Sequence, residues 1–200
     1  MKKFFPLLIT LSALSLSATA AFSQDDEIIT VQRLDFNSLQ DDWIQMEVEL
    51  RANRNTLEDA RDPGYVEDIK ITLYVGYLMD EAERKFDYYT SDVEIVIMER
   101  NDTNHVYFYL PGLIAERDRL RDEPDFYYAE VSIGGEEQPP QENAMSGNIP
   151  NLEILEKFIS NANSEGAVNE DKLMPIYLVP GDRIGRVRDL PIFLRRDVRD

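Results

Sequence analysis

Apolar and polar residues alternate one by one through several stretches of this chain. Ile44, Met46, Val48, Leu50 and Ala52 are separated by Gln45, Glu47, Glu49 and Arg51. Side chains point to opposite faces along an extended strand, so this pattern buries one face and wets the other. Ile69, Ile71, Leu73 and Val75 repeat it against Lys70, Thr72 and Tyr74. Val93, Ile95 and Ile97 do so with Glu94 opposite, and Val106, Phe108 and Leu110 with Tyr107 and Tyr109. Tyr127, Ala129, Val131 and Ile133 alternate with Tyr128, Glu130 and Ser132, and Ile29 to Phe36 forms a weaker first strand. Asp62-Pro63-Gly64, Asn101 to Asn104 and Gly134-Gly135 punctuate these runs as turns. Amphipathic strands without long helices between them predict antiparallel sheets that share a core. An immunoglobulin-like β-sandwich over residues 27–135 is the economical solution. Within it the charge-rich stretch 112–125 reads as a short helical crossover, and Tyr88-Tyr89 as a link between strands.

Beyond residue 135 the pattern changes. Residues 136–150 are rich in Pro, Gly, Glu and Gln and read as a linker or long loop. Leu152, Leu155, Phe158, Ile159 and Ala162 then recur at helical spacing, with Pro150 near the start. Met174 to Val179 reads as a strand, and Arg186 to Leu194 as a last extended segment whose Pro191 favours a sheet edge. Residues 151–200 are thus expected to be a C-terminal amphipathic helix plus added strands packing on the sandwich. The fold class is mainly β.

Residues 1–20 stand apart from the fold. Lys2 and Lys3 precede an apolar run from Phe4 to Leu16, and Ala18-Thr19-Ala20 supplies the small residues a signal peptidase requires. Cleavage is expected after Ala20, or alternatively after Ser23. The run is shorter than the ~20 residues of a spanning helix, which predicts no membrane insertion after cleavage. The chain contains no cysteine, hence no disulfide, no thiolate metal site and no acylated cysteine. An export signal without cysteine fits the periplasm or cell surface of a bacterium.

The formal charge of −18 falls to −20 if Lys2 and Lys3 are removed. Such a surface repels nucleic acid and anionic lipid. From Gly181 onward the balance reverses to +2, with Arg183, Arg186, Arg188, Arg195, Arg196 and Arg199 against four aspartates. A basic tail on an acidic body suggests docking of one on the other, within the chain or between copies.

Catalytic signatures are missing. His105 is the only histidine, and no G-x-S-x-G elbow accompanies it. One histidine without cysteine leaves no zinc set, and phosphate-cradling glycine loops are absent. Asp41-Asp42 and Asp122-Glu123 lack the alternating oxygen ligands of a calcium loop. The reading is therefore no enzyme, no metal and no cofactor. Binding is the remaining chemistry. Tyr74, Tyr107, Tyr109 and Tyr128 fall on the polar sides of their alternations, where tyrosines can anchor an interface or stack on sugars. In the tail, Ile192 and Phe193 flanked by Arg195 and Arg196 form a strand able to join a sheet edge.

Val106-Tyr-Phe-Tyr-Leu-Pro-Gly-Leu-Ile-Ala-Glu-Arg-Asp118, followed by Asp125-Phe-Tyr-Tyr and Gly134-Gly135, adds a family likeness. With Trp43-Ile-Gln-Met-Glu-Val-Glu-Leu50, these residues resemble small exported Ig-like proteins of verrucomicrobial type IV pilus-like gene clusters. Their fold is similar to domains of archaeal surface-filament proteins. The likeness covers roughly residues 40 to 135. It implies a component of a pilus-like or secretion assembly, and carries no binding motif residue by residue. One departure stands out: the apolar N-terminus looks cleavable, whereas a true pilin keeps a long apolar helix. The expected function is a periplasmic or cell-surface binding or scaffolding module, whose partner is an envelope protein or a second copy. A carbohydrate-binding module or small glycan-acting enzyme is the alternative.

Overall fold

The alternating stretches become the strands of two antiparallel sheets in the computed structural model, which describes residues 27–195. In chain order the long strands are β1 (Ile29–Ser38), β2 (Ile44–Ala52), β3 (Tyr65–Asp80), β4 (Lys85–Glu99), β5 (Thr103–Leu110) and β6 (Phe126–Ile133). Three two-residue strands follow, β7 (Glu136–Glu137), β8 (Met174–Pro175) and β9 (Phe193–Leu194). The helices are α1 (Gly112–Asp118) and α2 (Leu152–Glu165). One sheet runs β1-β2-β5-β8 and the other β7-β6-β3-β4-β9. The chain changes sheet between β2 and β3, between β4 and β5, and again between β5 and β6. That makes the two sheets the halves of an immunoglobulin-like sandwich. The expected signal segment and Arg196 lie outside the described residues.

Strand register follows the apolar pattern. Val48 of β2 faces Leu34 on one side and Val106 on the other. Ile71 of β3 sits between Val93 and Val131. All of these except the half-buried Leu34 are buried in one shared core. A one-residue slip would turn this set outward, so the buried face fixes the pairing.

Two strands are longer or shorter than the sequence suggests. Tyr88-Tyr89 lie inside β4 and not between strands, because β4 continues the full length of β3 and pairs Tyr89 with Val75. The expected strand Met174–Val179 is cut to two residues, with a turn of 3-10 helix at Ile176–Leu178. Pro175 has no N–H to extend the ladder.

Residues 136–150 form a long loop docked on the sandwich. Its Gln138 and Gln141 lie along the outer edge of β1. Gln138 Oε1 accepts from the Ile28 and Ile29 amides, at 3.1 and 3.2 Å, and Gln141 Oε1 from the Val31 amide at 2.7 Å. Both side-chain amides donate back to the Ile29 carbonyl. An amide side chain has the donor and acceptor of a peptide group, so two glutamines complete an edge that no strand covers among the described residues.

Each sheet is also covered on its outer face. The apolar side of α2, with Leu155, Phe158 and Ala162 buried, packs over β3, β4 and β6. Asn151 caps the helix, its side chain accepting from the Ile154 amide at 3.0 Å. Gly76 makes the approach possible: a Cβ there would stand 3.1 Å from Phe158 and 3.3 Å from Tyr88. Over β2 and β5 lies the C-terminal segment, which then reaches the edge of β4 through β9.

Candidate functional site

The four strand tyrosines lie on the outer faces, as their alternation implies, but they are not accessible. Tyr74, Tyr107, Tyr109 and Tyr128 are exposed by no more than 6%. The correction has a physical cause: both outer faces carry a second layer. Tyr74 and Tyr128 stack on each other, with ring centroids 6.3 Å apart, and Tyr74 also meets Asn163 of α2. Tyr109 donates its hydroxyl to the Ile184 carbonyl at 2.7 Å and accepts from Gln45 Nε2 at 3.0 Å. The Arg188 amide donates to the Tyr107 hydroxyl. Burial pushes the Tyr74 and Tyr109 hydroxyls up to about 12, aided at Tyr74 by the nearby Glu130 and Glu137 and opposed at Tyr109 by the Gln45 hydrogen bond.

His105 and Glu47 belong to the same covered face. His105 Nδ1 approaches Glu47 Oε1 at 2.7 Å, outside good hydrogen-bond alignment, and Arg188 reaches the same oxygen at 2.9 Å. Both His105 and Glu47 are buried beneath the C-terminal segment.

The tail docks on its own body. Phe193 and Leu194 pair with Ile95 and Glu94 at the β4 edge, and Val96 donates to the Ile192 carbonyl at 2.8 Å. Phe193 is half-buried against Tyr177, and the Arg195 guanidinium lies 5.9 Å from that same ring. Ile192 remains 64% exposed beside Val96 and Leu194.

An accessible concavity lies elsewhere, at the end of the sandwich where β2 begins and β5 ends. Three separated segments build it: the β1–β2 turn, the start of α1, and the turn at Pro180 to Arg183. Asp41 and Asp42 both take the left-handed conformation, with φ of 56° and 60°, and the Leu39 amide closes the turn on the Trp43 carbonyl at 2.7 Å. The α1 start presses on this turn so closely that a Cβ on Gly112 would lie 1.7 Å from the Asp41 carbonyl oxygen, so only glycine fits. Arg183 pairs with Asp41 and lies 3.4 Å from Asp182, tying the third segment to the first.

The resulting groove has a volume of about 590 Å³. Trp43, Pro111, Leu113 and Pro180 give it apolar surface, and Asp41, Asp42, Glu116 and Asp182 an acidic rim. Trp43 is half-buried on the Tyr107 and Tyr109 cluster, whereas Leu113 is 82% exposed. The carboxylates are spread around the opening, and among the described residues no three acidic or histidine groups converge on a metal position. Sequence reasoning did not single out Trp43 as a binding residue and missed the groove. The available signal was Asp41-Asp42-Trp43 at one strand start and Pro111-Gly112 at the facing strand end.

No family model matches the chain, and no curated protein matches it. Among solved structures it is similar to a protein from Akkermansia muciniphila, with a TM-score of 0.58 and 13% sequence identity. The match covers 84% of this chain and 93% of that one. At such identity the likeness speaks for the fold alone. Among the described residues no helix is long and apolar enough to cross a membrane.

Proposed function

We propose that this chain is a binding or scaffolding module of a bacterial envelope assembly, such as a type IV pilus-like or secretion system. It works in the periplasm or at the cell surface and holds a protein partner in the groove at the sandwich end. The observation that carries this is that one groove brings Trp43 together with the largely exposed Leu113. Tryptophan is enriched where binding energy concentrates, and an exposed leucine gains about 2 kcal/mol when a partner covers it. The sequence features of export and a fold shared with a bacterial protein support the setting. Glycan binding is the second reading, favoured by carboxylates beside an indole ring, a combination that can hold a sugar.

A photo-cross-linking residue placed at Leu113 in the native envelope should yield a protein adduct that the same residue at Met79 does not. Equal adduct patterns from both positions would remove the groove from consideration.

A further inference from the structure

We infer that the groove receives a short basic, apolar segment of another polypeptide, one with arginine or lysine beside a bulky aliphatic or aromatic side chain. This rests on the binding-module reading above and names the class of its partner. Two independent features of the groove ask for the two halves of such a segment.

The first is charge left over. Arg183 is engaged by Asp41 and Asp182, so its charge is already matched within the rim. Asp42 and Glu116 are exposed and have no cation within ion-pairing distance among the described residues. The rim therefore presents unmatched negative charge on a chain whose total is −18. Such a rim attracts cationic groups and opposes acidic ones, affecting association rate and partner choice more than ultimate affinity.

The second is apolar surface that α1 does not need. Leu113 follows Gly112 in the first helical turn and points away from the core, while Ala115 of the same helix is buried. A sugar would use the Trp43 ring and the carboxylates, but would leave Leu113 and the two prolines uncovered. A segment with one bulky apolar side chain uses both sets. The volume of about 590 Å³ suits a few residues and lies within the range of small-ligand sites. Proline at both walls and the Gly112 lock hold the floor in place before binding, which lowers the ordering entropy that association must overcome.

Trp43 is the only tryptophan in the chain, so its emission reports on this groove alone. The full chain would be titrated with capped hexapeptides alternating leucine with arginine, with glutamine, or with glutamate, and with neutral disaccharides. The arginine peptide should shift Trp43 emission, and its affinity should fall about tenfold as salt rises from about 0.05 M to about 0.5 M. Asp42→Asn combined with Glu116→Gln should weaken it about tenfold, and Leu113→Ser by a similar factor. All three are exposed positions, and asparagine tolerates the left-handed conformation of residue 42, so the fold is retained. Equal binding of the glutamine or glutamate peptide overturns the basic class while leaving a binding groove. Response to a disaccharide alone overturns it in favour of glycan. Silence to every probe while Leu113 still cross-links in the envelope overturns this inference without the binding-module reading, and loss of both removes both.

Discussion

The two outer faces of the sandwich are buried alike but by different physics. Over β3, β4 and β6 the cover is a helix, and Phe158 lies against Tyr88 and Phe126 at centroid distances of 6.0 and 5.9 Å. Over β2 and β5 the cover is a segment almost without regular structure, held by hydrogen bonds from Gln45, Tyr109 and Asn104 to the carbonyls of Ile184, Arg186 and Asp189. The Asp189 carbonyl also accepts from the His105 amide at 3.0 Å. Apolar burial is non-directional and tolerates sliding, whereas hydrogen bonds fix one register. An irregular segment can thus serve as a layer, provided the sheet beneath it offers long polar side chains and tyrosine hydroxyls.

The largest expected break is on the helix side. Phe158→Ala should destabilise the protein by about 3 to 5 kcal/mol in urea unfolding, because it empties space between two rings that cannot close fully. A loss below about 1 kcal/mol would show that α2 is an accessory and not a core layer. On the other face, Tyr109→Phe keeps the ring but removes the donor to Ile184 and the acceptor for Gln45. A loss of about 1 to 2 kcal/mol is expected, with faster amide exchange confined to residues near 184. Unchanged exchange there would mean that packing, not hydrogen bonding, holds the segment.

Smaller still is Asn161→Ala on α2. Its amide reaches the Tyr88 hydroxyl only at 3.3 Å, and alanine is the better helix former. A change within about 0.5 kcal/mol in thermal unfolding is expected, and a loss above about 1.5 kcal/mol would contradict the apolar account of this face. Alkaline titration should separate the faces least, since burial pushes a tyrosine on each face up to about 12. A tyrosine held protonated in the fold keeps its stabilising contribution below its ordinary value of about 10 and loses it as pH rises from there towards 12. Tyrosinate absorbance from these residues should therefore grow together with loss of the circular dichroism signal. Ionisation well before unfolding would show that these hydroxyls reach water.

Much of the sandwich was legible in the sequence because period-two alternation is a local signal. Ile44 to Ala52 and Ile69 to Val75 became strands with their apolar sides inward. The first half of β4 was not, since Lys85-Phe86-Asp87-Tyr88-Tyr89 mixes large residues on both faces, each covered by a different layer. The same covering explains the tyrosines: alternation assigns a face, but says nothing about what later folds over it. The groove was hidden for a related reason. Trp43, Leu113 and Arg183 come from three segments far apart in the chain, and no spacing rule links them.

The glutamine pair along β1 has a consequence for crowded conditions. A strand from another molecule could join that edge only after displacing both amide side chains, which already use the amides and carbonyl it would need. Losing either glutamine would leave the fold standing while opening a template for end-to-end growth. Wherever copies of the chain become concentrated, these two side chains therefore stand between a folded monomer and strand-by-strand fibre growth.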